Sequence, residues 1–545
     1  MADNGLRLSN NHNDFEFGWD VDDNHVSLNK NDIKNILHDF ESPVYIVKKG
    51  GEFGASQNCS KNGVNKGNVV AFAPAYGMEN LGDPEFRAGY GVKYNYYAGA
   101  MANGIASEEM VIALGKAGFL ASFGAGGLVP SRIEEAVRKI QKELPKGPYA
   151  FNLIHSPMEP GLEKGAVDLY LKYGVTCVEA AAFINLTPYI VYYRVAGLKR
   201  SSNNEIIIGN KIIAKISRNE VAIKFMEPAP DLLVQKLFVD GLITKDQVEM
   251  AKHVPMADDI TAEADSGGHT DNRPMVSLLP SIIALKDEVQ AKHNYREPLR
   301  VGVGGGIGTP GAALAAFSMG AAFVVTGSVN QACIESGSCE HTKKLLANAD
   351  MADVTMAPAS DMFEMGVKLQ VLKRGTLFAM RAQKLYNIYS NYNSIDEIPA
   401  DERTKIEKQI FKKNLDEIWE MTIEFFNQRD PGQIKKAENN PKRKMALIFR
   451  WYLGLASRWS NIGEKGREMD YQIWCGPSMG AFNSWVKNSY LEKPENRTVV
   501  DVAKHILTGA AYLYRIQNLA GQGIHLSPDY LVYLPEKKVN TGLLE

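Results

Sequence analysis

Two glycine-rich segments in the second half of the sequence have the composition of phosphate-binding loops. Residues 301–310 read VGVGGGIGTP, an apolar run that passes through glycines into a helix start, and residues 323–328 read FVVTGS. Glycines let the backbone approach a phosphate closely, and N–H groups at a helix start can donate hydrogen bonds to it. The segments therefore predict a phosphate site, and the competing interpretation is a pair of tight turns without a ligand. The predicted phosphate-site residues are Gly305, Gly306, Gly327 and Ser328.

A histidine lies in a further glycine-rich segment. Residues 263–270 read EADSGGHT, so His269 follows Gly267 and Gly268 at the end of an apolar run. Histidine titrates near neutral pH and could exchange a proton with a substrate from such a turn. On this motif alone, a histidine in a surface loop is the competing interpretation. His155 is a second candidate, for which structural pairing at the rim of the fold is the better interpretation.

Small residues and one amide occur at the ends of earlier strand-like runs. The small residues after the first run are Gly99, Ala100, Met101 and Ala102. They would leave room for a flat ligand against the backbone, and Asn152, in the third run, could hydrogen-bond the edge of a heterocycle. Lys215 is charged within the apolar fifth run. It either pairs with a carboxylate inside the fold or faces an anionic ligand group.

These candidates lie in or after eight β-rich runs that alternate with helical patterns. The runs are Tyr94–Ala100, Phe119–Phe123, Tyr149–Ile154, Val175–Glu179, Lys211–Ile216, Asp258–Ala264, Arg300–Val303 and Phe323–Thr326. Eight units, with a phosphate signal after the seventh strand, favour an α/β fold of the TIM (β/α)₈ barrel type over a doubly wound sheet. A barrel would bring the candidates to one face, because the carboxyl ends of its strands meet there.

The alternation occupies only the middle of the chain and predicts four parts. Residues 1–30 are expected to be a flexible arm, and residues 31–90 a small N-terminal cap with strands at 44–47 and 69–73. Residues 91–340 would form the barrel, with a helical insertion at about 225–257. Residues 341–545 would form an α-helical region that covers the substrate. Its predicted helices are Asp361–Ser390, Ala400–Asn427, Lys444–Trp459 and Val499–Leu519.

Composition narrows the class of protein. The 545 residues are 45% hydrophobic and 23% charged, which is typical of a globular protein. A formal charge of −2 gives no reason to expect nucleic acid or an anionic membrane as partner. Five scattered cysteines, among them a core-like Cys177, indicate reduced thiols and no metal site. The sequence shows no signal peptide and no apolar run long enough to cross a membrane, so we expect a cytoplasmic protein.

Taken in order, five motifs resemble the superfamily of nitronate monooxygenases and FMN-dependent enoyl-acyl-carrier-protein reductases. They are Gly99–Ala102, Phe151–Leu153, Asp265–His269, Gly304–Ile307 and Gly327–Ser328. The fuller resemblance, which includes residues 42–47, residues 263–274 and the long C-terminal region, is to the PfaD type. That type is the separate enoyl reductase of bacterial polyunsaturated fatty acid synthases, and its close relatives act in trans in polyketide synthases.

The resemblance implies an FMN-binding barrel that uses NADPH or NADH to reduce the 2,3 double bond of enoyl thioesters on acyl carrier protein domains. His269 matches the active-site histidine of the family. Residues carried over to the flavin ring are Gly99, Ala100, Met101, Ala102 and Asn152; those carried over to the FMN phosphate are Gly305, Gly306, Gly327 and Ser328. Lys215, Gly267 and Gly268 complete the expected cofactor site, although Lys215 has no firm counterpart in the shorter reductases. Family members often pair, so a homodimer is a further expectation.

Three other functions stay open at this point. A nitronate monooxygenase would share the barrel and flavin, with the histidine acting as a base on a nitroalkane. A barrel isomerase or lyase could bind a phosphate without any flavin. A third possibility is a non-catalytic docking subunit of a megasynthase. The long C-terminal region favours a bulky acyl substrate over a nitroalkane.

Overall fold

The amino-terminal segments form a small antiparallel sheet and a strand that reaches the far end of the chain. The computed structural model describes residues 4–8, 19–59, 68–155, 157 and 160–537. The elements in chain order are β1 (Leu6–Leu8), α1 (Lys30–His38), β2 (Val44–Lys49), β3 (Glu52–Ser56), β4 (Val69–Ala73) and α2 (Pro84–Tyr90). The sheet has the order β3-β2-β4, which confirms the two predicted strands.

The predicted flexible arm is wrong where the structure describes it, and residues 1–3 and 9–18 of that arm lie outside the described residues. Strand β1 pairs antiparallel with Ile524–Leu526. Leu6 is buried in a cluster that includes Ile516 and Tyr530. Burial of this leucine against the C-terminal segments stabilises a strand that local composition alone does not indicate.

The middle of the chain forms a closed barrel of eight parallel strands. Its elements in order are β5 (Tyr96–Ala98), α3 (Glu108–Lys116), β6 (Leu120–Phe123), α4 (Pro130–Glu143), β7 (Ala150–Ile154), α5 (Pro160–Lys172), β8 (Cys177–Ala181), α6 (Pro188–Ala196), β9 (Leu198–Arg200), β10 (Ile206–Ile208), β11 (Lys211–Ile216), α7 (Asn219–Met226), α8 (Asp231–Val239), α9 (Lys245–Ala251), β12 (Asp259–Glu263), β13 (Gly268–His269), α10 (Met275–His293), β14 (Arg300–Gly304), α11 (Pro310–Ser318), β15 (Val324–Thr326) and α12 (Ser328–Gln331). Strand β15 pairs with β5 and closes the ring β5-β6-β7-β8-β11-β12-β14-β15. The barrel prediction is confirmed and the doubly wound sheet is excluded.

Side chains alternate along each barrel strand between the interior and the surrounding helices. On β11, Ile212 and Ala214 belong to the outer core, whereas Ile213 belongs to the interior cluster. The same period of two places Lys215 on the interior side at the carboxyl end of that strand. The sequence of each short strand therefore decides what the barrel presents inside.

Helix α2 and buried ion pairs close the amino end of the barrel. Phe86 of α2 stacks on the interior Phe323 with ring centroids 4.2 Å apart. Arg300 donates from Nε and Nη2 to both oxygens of Asp259, at 2.7 and 2.9 Å, and the Tyr90 hydroxyl donates to the same carboxylate. Within the barrel interior this end is filled by aromatic rings, and the charge of Asp259 is paired with that of Arg300.

The C-terminal third is mostly helical but begins with a β-hairpin. Its elements are α13 (Glu340–Ala347), β16 (Val354–Pro358), β17 (Lys368–Leu372), α14 (Phe378–Asn391), α15 (Ala400–Ile406), a π-helical turn (Glu407–Phe411), α16 (Leu415–Arg429), α17 (Gly432–Glu438), α18 (Pro441–Ile462), α19 (Ser478–Val486), α20 (Val499–Gly521) and β18 (Ile524–Leu526). The predicted helix over 361–390 is wrong before Phe378, because 368–372 forms a strand. That strand pairs with β16 and β13, and this tertiary pairing outweighs local helical propensity.

Within the described ranges, no helix combines the length and the apolar composition needed to cross a bilayer. The same ranges contain no group of three His, Cys, Asp or Glu side chains arranged to hold a metal ion.

Candidate active site

The interior positions at the carboxyl ends of the barrel strands form a ring, here called the mouth ring, with two unlike halves. Four consecutive strands contribute its polar half, which consists of Asn152, Glu179, Lys215 and Glu263. The interior positions on the other four strands are glycines: Gly304, Gly327, Gly99 and Gly124. One half can therefore bind polar groups. The other half presents bare backbone, with open space beside Gly327 and close packing at Gly99, Gly124 and Gly304.

Lys215 is paired within the polar half. Its ammonium group lies 3.1 Å from Glu263 Oε1 and also experiences the charge of Glu179. Burial alone would lower the pKa of Lys215, but the two carboxylates raise it above its usual value. The interpretation that this lysine pairs with a carboxylate inside the barrel is confirmed. Its side chain remains 26% exposed, so the cation can also meet a ligand.

Glu179 is a buried carboxylate that the sequence interpretation missed. Its Oε2 accepts hydrogen bonds from the backbone N–H of Ala100, at 2.9 Å, and from the Tyr97 hydroxyl. Its Oε1 has no hydrogen-bond partner among the described residues. Burial raises the pKa of Glu179, and the charge of Lys215 opposes that shift. An acceptor without a donor, buried beneath the Gly99–Ala102 segment, could bind a polar group of a ligand.

Asn152 lies beside Glu179 in the polar half. Its side-chain amide donates to the backbone carbonyl of Glu179 at 3.2 Å, and only 5% of the residue is exposed. The amide oxygen approaches Gly126 so closely that a Cβ there would stand 2.9 Å away. The predicted position of Asn152, facing the mouth from the third strand, agrees with the structure.

His269 lies over the mouth ring and is held by the C-terminal hairpin. It belongs to β13, which pairs antiparallel with β17 so that His269 stands opposite Leu369. Its Nε2 lies 3.1 Å from Asp361 Oδ1. Burial would lower the pKa of His269, but the hydrogen bond and charge of Asp361, with help from Glu263, raise it above its usual value. The side chain is 36% exposed, so a reactant can approach it.

Asp361 is itself held in its ionised form. Burial would raise its pKa, but the hydrogen bond and charge of His269 and the charge of Arg450 lower it below the usual range. Arg450 shares the carboxylate of Glu364 with Arg443, at 3.4 and 2.9 Å. Helix α18 therefore supplies positive charge behind the His269–Asp361 pair and keeps the acceptor of that pair anionic.

The predicted phosphate loops border open space at two of their four residues. Gly306 has φ +77°, which favours glycine, and no atom lies within 4 Å of the position of a Cβ there. Gly327 likewise faces open space. Gly305, in contrast, packs against Ala264, where a Cβ would stand 2.5 Å from the carbonyl carbon. Ser328 accepts a hydrogen bond from the backbone N–H of Gly476 at 3.0 Å.

A loop of the C-terminal third, residues 475–478, completes this side of the site. Besides the bond from Gly476 to Ser328, a Cβ on Gly267 would stand 2.7 Å from the backbone nitrogen of Cys475. A Cβ on Gly308 would stand 2.4 Å from the carbonyl oxygen of Ser478. This loop joins the histidine turn to the phosphate loops. From the sequence alone no role is predicted for this segment, which reads WCGPS over residues 474–478.

Two residues considered at the sequence level lie away from the ring and have structural roles. His155 pairs with Glu163 at 2.9 Å and stacks on Phe183. Cys177 is buried in the barrel interior, where burial raises the pKa of its thiol. The predictions of a rim pairing for His155 and a core position for Cys177 are confirmed.

Comparisons with known proteins find relatives over most of the chain. A family model described as the fatty acid synthase subunit PfaD N-terminal domain matches residues 19–75. A second, described as the inserted helical domain of acyl-carrier-protein S-malonyltransferase, matches residues 392–471. The crystal structure of the enoyl reductase domain of MlnA, from the macrolactin biosynthesis cluster of Bacillus amyloliquefaciens, has a TM-score of 0.77 and 40% identity. That match covers 81% of this chain and 99% of that one.

Curated relatives are longer than this chain. One of the polyunsaturated fatty acid synthase subunits of a Thraustochytrium species is 50% identical over 500 residues, which are 90% of this chain and 33% of that protein. Polyketide biosynthesis protein PksE of Bacillus subtilis is 44% identical over 482 residues, covering 88% of this chain and 61% of that protein. The chain thus spans between a third and about three fifths of the length of these two relatives.

Proposed function

The chain belongs to the family of PfaD-type enoyl reductases, and we propose that it reduces the 2,3 double bond of enoyl thioesters carried by an acyl carrier protein. The observation that carries the proposal is the position of the His269–Asp361 pair beside a mouth ring that is half glycine and half polar. Membership of the family supports the reaction class. The relatives named as synthase subunits support a carrier-bound acyl substrate and a role in polyunsaturated fatty acid or polyketide synthesis.

The residues present fit FMN as the cofactor. Gly306 and Gly327 border open space where a phosphate could accept backbone hydrogen bonds, next to the hydroxyl of Ser328. The backbone of the segment Gly99–Ala102 would receive the flat ring, next to the open space at Gly327. The orphaned Oε1 of Glu179, with Asn152 and Lys215, offers hydrogen-bonding groups for its polar edge. When bound, FMN would supply the redox chemistry, taking a hydride from NADPH or NADH and passing it to the β-carbon of the substrate.

His269 would act on the acyl group through its other ring nitrogen. Because Nε2 faces Asp361, Nδ1 is left for the substrate. As negative charge develops on the thioester oxygen, the protonated ring can donate a hydrogen bond to it or supply the proton that the α-carbon takes up. Asp361 fixes the orientation of the ring and keeps it protonated near neutral pH. In the proposed step, His269 thereby holds a proton beside the reacting carbon.

The C-terminal third would enclose the reactants. The hairpin β16–β17 holds the histidine turn, and the loop 475–478 closes the phosphate side. We propose that residues from about 341 onward cover the acyl chain and exclude water from the mouth ring. The Gly305–Gly306 turn, the Gly267–Gly268 turn and the Gly327–Ser328 turn would remain on the cofactor side.

Two measurements test the proposal. The purified chain should show flavin absorption that is stoichiometric with protein and should oxidise NADPH only when an enoyl thioester such as crotonyl thioester is added. An enoyl thioester bound to an acyl carrier protein should react faster than the free thioester. Colourless, folded protein that takes up no added FMN would remove the cofactor assignment, and oxygen uptake with a nitronate in place of enoyl reduction would reassign the reaction.

A further inference from the structure

A cavity of about 740 Å³ opens on the barrel rim beside the mouth ring, between the start of α7 and the start of α10. The residues that line it include Arg218, Arg273 and Ser277. The two segments that form the wall continue directly from the parts of the chain that carry Lys215 and His269. The cavity therefore borders the candidate active site but contains none of the residues assigned to it.

Arg218 is fixed in position by an acidic neighbour. Its Nε and Nη2 donate to the two oxygens of Asp271 at 2.8 and 2.9 Å, and the Ser217 hydroxyl donates to the same carboxylate at 2.6 Å. The hydrogen bond from Arg218, followed by that from Ser217, lowers the pKa of Asp271 to about 2 against the effect of burial. The guanidinium is thus rigidly held while half of its side chain stays exposed to the cavity.

Arg273 differs because its charge acts on Asp271 only from a distance, where it helps to lower the pKa of that carboxyl. The residue is exposed, and its side chain makes no hydrogen bond or salt bridge with any other side chain in the part of the chain that the structure describes. Only its backbone carbonyl is engaged, by the N–H of Asp265 at 3.0 Å. The acidic groups nearby are Glu220, on the wall, and Asp271, which is already bound by Arg218.

The remaining groups on the wall are mostly donors. Asn219 and Ser281 hydrogen-bond each other across it at 3.0 Å and leave further donor capacity. Helix α10, 19 residues long, begins after Pro274 without a side-chain cap, so its first N–H groups add partial positive charge. A pair of arginines with surrounding hydroxyl and amide donors matches an anion that has several acceptor oxygens and suits the planar guanidinium.

We propose that this cavity binds a phosphate group of one of the reactants. The inference rests on the proposed function, because enoyl reduction on a carrier protein involves two reactants that carry phosphate esters. One is the nicotinamide dinucleotide and the other is the phosphopantetheine arm of the carrier protein. Arg273 makes the contact with the phosphate, and Arg218, held by Asp271, supplies the second cation.

Binding of matched probes to the whole chain tests this assignment. Titration calorimetry compares 4′-phosphopantetheine with pantetheine, and ADP-ribose 2′-phosphate with ADP-ribose and with adenosine. We expect one series to bind more tightly when phosphorylated and to lose about tenfold in affinity on Arg273→Ala, because a hydrogen bond to a charged group is removed. The series that responds identifies the source of the phosphate. Arg218→Ala should weaken the same probe.

The control is Arg296→Ala, which removes an exposed arginine paired with Glu205 elsewhere on the surface and should leave all affinities unchanged. The assignment would be overturned if the phosphorylated probes bound the Arg273→Ala and Arg218→Ala variants as tightly as they bind the unchanged protein. Since no probe has to be reduced, this result is independent of catalysis. A protein that reduces enoyl thioesters but shows no such loss refutes the cavity alone, and the opposite pattern refutes the proposed reaction alone.

Discussion

Strands β11 and β12 each have two charged side chains that face the barrel interior, one at the amino end and one at the carboxyl end. Lys211 and Asp259 lie at the amino end, and Lys215 and Glu263 lie at the carboxyl end. At the amino end, Asp259 is fully buried and receives two hydrogen bonds from Arg300. At the carboxyl end, the pair of Lys215 and Glu263 stays partly exposed. The same residue types on the same strands therefore stabilise the fold at one end and remain available to a ligand at the other.

The difference comes from what lies beyond each end. Helix α2 covers the amino end, where both oxygens of Asp259 accept hydrogen bonds from Arg300 and one also accepts from the Tyr90 hydroxyl. Around the mouth ring, Gly327 borders open space and the orphaned Oε1 of Glu179 is an unused acceptor. Polar groups that are fully satisfied in a closed region report on stability, whereas polar groups left unsatisfied beside a cavity indicate a binding site.

The largest expected effect comes from disrupting the ion pair at the amino end of the barrel. Asp259→Asn leaves the Arg300 guanidinium buried without its carboxylate, and we expect a loss of about 3–5 kcal/mol in the free energy of unfolding. The matched change on the same strand, Glu263→Gln, should cost well under half as much because its surroundings are partly wet. Chemical denaturation of both variants measures this. Equal losses at the two ends would contradict the distinction.

The second effect concerns catalysis at the carboxyl end. His269→Ala should lower the rate of enoyl thioester reduction by about 10²–10⁴-fold, which is the usual contribution of a positioned acid or base. The melting temperature and the flavin content should stay unchanged. His253→Ala, which alters an exposed histidine outside the site, serves as the control. Full activity of the His269 variant would exclude this residue from the reaction.

The third effect compares the two lysines of β11. Lys215→Met removes a cation beside the proposed polar edge of the flavin, and we expect about tenfold weaker FMN binding because a charged hydrogen-bond donor is lost. Lys211→Met, at the amino end, removes a donor to the backbone carbonyl of Gly89 and should leave FMN affinity unchanged. Flavin fluorescence titration of both apoproteins gives the comparison, and similar losses for the two variants would argue against a cofactor role.

The smallest effect is a shift in pH dependence. Asp361→Asn removes the charge that raises the pKa of His269. The change also weakens the hydrogen bond that orients the ring. Because an ordinary hydrogen bond contributes about 0.5–1.5 kcal/mol, the rate should fall a few-fold. If the protonated ring is the active form, activity is lost as the pH rises through the pKa of His269. The variant should therefore lose activity at lower pH than the unchanged enzyme. A pH–rate profile with an unmoved alkaline limb would leave Asp361 without a positioning role.

The mouth ring shows how far sequence patterns reached. Asn152, Lys215 and the glycines around 99 and 327 were found because each lies at the end of a strand-like run, and the barrel brings such ends together. Glu179 also lies at the end of such a run but was missed, because a single carboxylate after apolar residues gives no motif. Its significance depends on the hydrogen bond from Ala100 and on its unsatisfied oxygen, both of which exist only after the barrel closes.

By itself the sequence determined the eight barrel strands, the glycine-rich loops after the seventh and eighth strands and the glycine turn of His269, since period, glycine content and turn chemistry are local properties. Only the tertiary structure decided that residues 368–372 form a strand and that Asp361 and the loop 475–478 meet the histidine turn. Those contacts join segments far apart in the chain, and their stability depends on partner strands and burial that no local window contains.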